Sequence, residues 1–157
     1  MSASQTENLK FIVFALNDEE YGVDINQVNS IETITEITRV PRTPAFVKGV
    51  INLRGTIVPV IDLRERFSLP SRGYDEQTRV IIVSVNAITV GMIVDSANDI
   101  IDIEESKVDP PPQAIGGIKA EYLKGIAKVD DRLLILLNLE KTLHPSEIVQ
   151  LESFGVE

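Results

Sequence analysis

Residues 48–63 read Lys-Gly-Val-Ile-Asn-Leu-Arg-Gly-Thr-Ile-Val-Pro-Val-Ile-Asp-Leu. Two apolar stretches, Gly49–Leu53 and Thr56–Asp62, flank a two-residue break at Arg54-Gly55, the pattern of a β-hairpin. The pattern returns 76 residues later: Phe46–Phe67 lies over Tyr122–Leu143, matching Lys48-Gly49 with Lys124-Gly125 and Asp62-Leu63 with Asn138-Leu139. The second tip is Asp130-Asp131. Toward the N-terminus, Phe11–Ile31 lies over Val80–Ile100 without a gap, matching Asn17 with Asn86, Gly22 with Gly91 and Ile31 with Ile100 at a shift of 69. The difference, 76 − 69, leaves seven extra residues between Ile100 and Tyr122, which places a longer loop around 109–117.

The rest of the chain is consistent with two copies of one β unit. It holds 37 isoleucines and valines and no tryptophan, in short runs bounded by turn formers. Ten strands are expected: 10–16, 21–25, 28–38, 49–53, 56–62, 78–85, 88–94, 97–104, 124–129 and 132–138. Short strands at this spacing form small antiparallel barrels or a sandwich. A five-strand unit of about 60 residues most often closes into a barrel, because closure leaves no long edge exposed. The expected fold class is therefore all-β, two five-stranded barrels from an internal duplication, joined near Ser68–Gln77. The first barrel is expected at roughly 20–70 and the second at roughly 78–142, after a flexible N-terminus at 1–9. Helix signals are confined to 44–48, 63–67 and a C-terminal helix at roughly 145–154, where Pro145 suits a first turn. Pro59 has no proline counterpart, since Ile135 stands opposite, which predicts an edge or bulge in the first barrel.

Composition excludes several functions. There is no cysteine, which removes disulfides, thiolate metal sites and thiol nucleophiles, and a single histidine, His144, which makes no cluster. No apolar run approaches the ~18 residues that span a bilayer, and residues 1–8 lack an apolar signal-peptide core. The expected protein is cytoplasmic, with no direct membrane insertion. Its net charge of −9 is uneven: Arg39 to Arg72 holds seven basic residues against Asp62 and Glu65, a local +5, leaving −14 elsewhere. Only Phe46 and Phe67 accompany those cations, too few aromatics for a nucleic-acid surface, so a docking face for an acidic protein is expected.

Chemistry-bearing motifs are missing: there is no phosphate-binding glycine loop, no nucleophile elbow and no H-E-x-x-H. Asp18-Glu19-Glu20, Glu104-Glu105 and Asp130-Asp131 fall at predicted turns, as solvated acids do. No catalytic residue, cofactor or metal is expected. The alternative is a metal- or ligand-binding barrel using Asp62, Asp95 and nearby acids. Arg54 is the exception to a featureless surface, since Gly55 supplies the positive φ of the turn and pushes the guanidinium outward, where it can meet a carboxylate.

The run Thr43 to Leu63 resembles the signature of the CheW family of bacterial chemotaxis coupling proteins. Further matches lie at Tyr21–Ile25, Gly91–Asp95, Glu121–Gly125 and Arg132–Lys141, so the resemblance covers Lys10 to Leu151. It implies two SH3-like barrels side by side and a scaffold without catalysis, which bridges the cytoplasmic tips of chemoreceptors to the regulatory domain of the histidine kinase CheA at membrane receptor arrays. Carried over residue by residue, it implies a receptor-binding seam with Arg54, Val28, Ser30, Ile31, Val94 and Ile100. It further implies a kinase-binding edge with Ile37, Val40 and Gly49, and a ring contact with Asp109, Gln113 and Ala114. A CheA regulatory domain shares this fold, but a chain running from Met1 to just past the terminal helix has no room for ATP-binding or phosphotransfer parts, so a free-standing coupler is expected.

Overall fold

In four of the hairpins two described residues interrupt an apolar run, and the first residue of each of these tips is left-handed: Asn17, Arg54, Asn86 and Asp130 have φ of 61°, 51°, 52° and 55°. These tips join β1 (Asn8–Leu16) to β2 (Glu19–Asp24), β4 (Val47–Leu53) to β5 (Thr56–Asp62), β6 (Arg79–Val85) to β7 (Ile88–Val94), and β12 (Leu123–Val129) to β13 (Arg132–Leu137). β3 (Val28–Thr33) and β8 (Ser96–Glu104) are single strands, followed in the second copy by the short β9 (Val108–Asp109), β10 (Ala114–Ile115) and β11 (Ile118–Lys119). The computed structural model describes residues 8–41, 46–70, 72–112, 114, 115 and 118–143. The expected C-terminal helix at 145–154 and His144 lie outside these residues.

The strands form two SH3-like barrels, one with strand order β8-β1-β2-β13-β12-β9 and the other β3-β6-β7-β5-β4. Neither follows the chain in the order expected, because each barrel takes strands from both copies. The first hairpin of copy one, β1-β2, joins the second hairpin of copy two, β12-β13, and the reciprocal exchange joins β6-β7 to β4-β5. The division at roughly 20–70 and 78–142 is thus corrected. Parallel ladders make the exchange, Gly22 opposite Leu136 between β2 and β13, and Gly91 opposite Val60 between β7 and β5. Bare glycine gives those aliphatics room: a Cβ on Gly22 would lie 2.9 Å from Leu136 Cδ2, and one on Gly91 2.8 Å from Val60 Cγ1.

Strand alternation then feeds three cores. One face of β1 sends Phe11 and Val13 into its own barrel with Leu134 and Leu136; the other sends Ile12, Phe14 and Leu16 into a central core shared by both barrels. β6 does the same with Val80 and Ile82 against Ile81, Val83 and Val85. Being buried on both faces, these strands show continuous apolar runs instead of polar alternation.

Local caps repeat as well. Asp62 accepts from the Arg64 and Glu65 backbone N–H groups to start α1 (Leu63–Arg66), and Asn138 accepts from Lys141 N–H to start α2 (Leu139–Thr142), which was not expected from the sequence. Asn8 and Leu9, expected to be flexible, pair with Glu104 and Ile103 in β8. Pro59 does not mark an edge, since β5 lies between β7 and β4. Counting alternation from the Leu53–Thr56 closing pair points its nitrogen away from β4, one residue before the parallel ladder to β7 begins at Val60, so no ladder bond is lost.

Candidate functional site

Ile31 and Ile100, 41% and 56% exposed, occupy equivalent positions of the two copies on the outermost strands β3 and β8. Ile31 stands opposite Ile81 and Ile100 opposite Ile12, and both partners belong to the central core. Paired residues share a sheet face, so each exposed isoleucine extends the central apolar layer to the margin of its barrel. Val28 packs half-buried against the same core. Beside Ile31, the Arg54 side chain, 69% exposed at its tip, donates from Nη2 to Glu32 Oε2 at 3.1 Å. That bond and one from the Ser30 hydroxyl hold the Glu32 carboxyl below its ordinary range. Arg54, Ser30, Ile31 and Val28 therefore gather on one barrel. Val94 does not join them: at 1% exposure it is a central-core residue with no surface to offer.

Along the outer side of β4 runs the segment 34–40. Thr38 and Val50 exchange two backbone hydrogen bonds of 2.9 Å, and Ile37 packs half-buried on the core of the β3-β6-β7-β5-β4 barrel. Val40 is also half-buried. Gly49, at φ +143°, lies directly under the Thr38 carbonyl, where a side chain has no room. Gly49 is a buried seat for this segment and presents no side chain to a partner. Gly125 repeats the arrangement beneath Asp109, whose exposed residue pairs with Ile126. Ala114 stands opposite Lys119 in the β10-β11 hairpin, and Gln113 lies outside the described residues.

Among the described residues of the basic stretch, Lys48, Arg54, Arg64, Arg66 and Arg72 are engaged within the fold. Arg64, 8% exposed at its side chain, makes a two-pronged bond to Asp95 at 2.8 and 2.7 Å and donates to the Pro70 carbonyl at 2.7 Å. Burial pushes the Asp95 carboxyl up, but the Arg64 bonds, the Asn17 N–H and the charges of Arg64 and Arg72 outweigh it, leaving the group below its ordinary value. Lys48 pairs with Glu65, and Arg72 with Asp75 and Asp95. The Arg66 guanidinium lies over the Phe46 and Tyr122 rings at 4.8 and 5.0 Å and donates to the Thr142 carbonyl at 2.7 Å. Phe46 and Tyr122 are repeat partners, as are positions 66 and 142, so this arginine sits on the relation between the copies. The Arg64–Asp95 and Arg66–Thr142 ties have no local sequence signal, since the partners lie 31 and 76 residues apart.

Asp62 caps α1 and accepts from the Tyr74 hydroxyl at 2.9 Å, beside a shallow cavity of ≈ 310 Å³. Among the described residues no three acids or histidines gather as a metal site, and no helix is long and apolar enough to cross a membrane.

Fold and surface together define a duplicated two-barrel β domain whose exposed apolar residues repeat across its two copies. Residues 10–147 match the model of the CheW-like domain, and the chain belongs to that family. It is similar to the chemotaxis protein CheW of Klebsiella aerogenes, 38% identical over 151 residues that cover 96% of this chain and 91% of that protein. The chemotaxis protein CheW of Bacillus subtilis is 40% identical, covering 91% and 92%. The solved structure of the scaffolding protein TtCheW from Thermoanaerobacter tengcongensis superposes with a TM-score of 0.83 at 39% identity, covering 90% of this chain and 96% of that one.

Proposed function

We propose that this chain is a non-catalytic cytoplasmic adaptor that couples the tips of transmembrane chemoreceptors to the regulatory domain of the histidine kinase CheA, recruited to membrane receptor arrays. The carrying observation is the pair Ile31 and Ile100: two equivalent outer-strand positions that hold large apolar side chains in water, where a binding role accounts for them. The receptor surface comprises these two with Val28, Ser30 and Arg54. The kinase surface is the segment carrying Ile37 and Val40 where Gly49 seats it on β4, and the ring contact lies at Asp109, Gln113 and Ala114. Family membership and likeness to chemotaxis scaffolds support this reading.

Calorimetric titration with an isolated CheA regulatory domain and, separately, with a receptor cytoplasmic hairpin tests it. Both should bind, and Ile31→Ser with Ile100→Ser should weaken only the receptor titration, at least tenfold, with unchanged melting. Absence of binding to either partner would refute the coupling role.

A further inference from the structure

Glu32 sits among the residues of the proposed receptor surface, and its bonds decide what that surface offers. It lies two residues from Ser30 on the outermost strand β3, so the two half-buried side chains share one face of the strand while exposed Ile31 between them points to the other. A segment laid along the outer edge of β3 can touch both. The Glu32 carboxyl is held by the Ser30 hydroxyl and by Arg54, and its side chain is only 22% exposed. Arg54 reaches it from a tip that is itself pinned, since Asn52 Oδ1 accepts from the Gly55 N–H at 2.8 Å. The contact is single-pronged, through Nη2 alone, and the rest of the guanidinium fork makes no bond among the described residues. Arg54 is also the most exposed of the ion-paired cations of the basic stretch. This corner therefore presents unspent donors above a carboxylate whose own needs are already met.

We infer that, given the receptor role proposed for this surface, Glu32 is its specificity-determining residue: an internal competitor for Arg54, displaced by a carboxylate of the receptor segment that docks along β3 over Ile31. Unspent donors call for an acceptor on the partner, and a fork-on carboxylate fills them better than the single bond given up. The bond given up is an exposed pair, which is weak enough to exchange. An acid arriving alone gains little, because Glu32 has already neutralised the guanidinium. One carried on a segment that also covers Ile31 gains the apolar contact with it, so Glu32 lowers affinity for acids in general and selects those with apolar fit.

Full-length wild type, Glu32→Gln, Arg54→Ala and the double variant, titrated calorimetrically with a receptor cytoplasmic hairpin, test this. Glutamine keeps the shape and an acceptor for Ser30 but gives up the charge, so Glu32→Gln should bind about two- to fivefold tighter, the worth of an exposed pair. Arg54→Ala should bind several-fold more weakly, and adding Glu32→Gln to it should restore nothing, because no guanidinium remains to compete for. Changing the acids of the hairpin tip to their amides one at a time should cancel the gain of Glu32→Gln at one position. Equal or weaker binding by Glu32→Gln, with Arg54→Ala still impaired, overturns the inference and leaves the receptor surface standing. An equal gain in the Arg54→Ala background, or a gain that survives every amide, also overturns it. If Arg54→Ala binds as wild type does, or the hairpin binds none of the four chains, the receptor reading of this surface fails and the role of Glu32 falls with it.

Discussion

Replacing Arg64 with methionine tests whether the buried ion pair holds the two copies together. The substitution keeps an unbranched apolar stem but removes two bonds to Asp95 and one to the Pro70 carbonyl. Stripping one partner from a buried pair costs about 3–5 kcal/mol. Asp95 retains the Asn17 N–H at 2.8 Å and Arg72 at 3.3 Å, which reduces the expected loss to ~2–3 kcal/mol. For a chain of this size that lowers Tm by roughly 5–10 °C in a calorimetric scan. Removing both charges in Arg64→Met with Asp95→Leu should recover at least half of the loss, since no buried charge is stranded. The pH dependence has a definite sign. Asp95 is held below the ordinary value of 3.8, so its stabilisation is complete above that value and disappears as the pH falls beneath it. The gap between wild type and Arg64→Met should therefore close on acidification. A single variant that loses under about 2 °C, or a double variant whose loss equals the sum of the two singles, would refute the reasoning.

Three other substitutions separate surface from scaffold. Arg54→Ala removes only an exposed ion pair, so it should cost under ~0.5 kcal/mol by melting while weakening receptor-hairpin binding several-fold in titration. Gly49→Ala places a Cβ against the Thr38 carbonyl at a φ of +143°, and its chevron midpoint should report a loss of at least ~2 kcal/mol. Val94→Ala should cost about 2 kcal/mol of stability, and its binding, measured at low temperature where the variant is folded, should match wild type.

Much of this architecture is legible in the residues. The shifts of 69 and 76 locate the hairpins, and the seven-residue excess falls where the β9 to β11 segment appears; the match of Asn138 with Asp62 carries the signal for α2, which reading Asn138 only as the end of a strand passes over. What a repeat does not specify is the partner. Gly22 opposite Leu136 and Gly91 opposite Val60 satisfy the same pattern as pairing within a copy would, so the exchange was invisible. Surface assignments suffered similarly. Ile31 and Val94 are both strand aliphatics, yet Ile31 stands among polar neighbours on an outermost strand and Val94 ends an apolar strand in the middle of a sheet. Arg64 looked like one more cation of a basic stretch because Asp95, which neutralises it, is 31 residues distant.

The parallel ladder between β2 and β13 also sets the order in which a nascent chain can finish. β2 ends at Asp24 and β13 at Leu137, 137 − 24 = 113 residues later. At ribosomal speeds of about 5–20 residues per second, the β1-β2 hairpin waits roughly 6–23 s with Phe11, Val13, Phe14 and Tyr21 lacking their final neighbours. The other barrel, whose last strand is β7, has all its strands once Val94 has emerged. Synthesis thus delivers all the strands of one barrel while the β1-β2 hairpin still lacks β13, so the apolar surface exposed longest lies near the N-terminus.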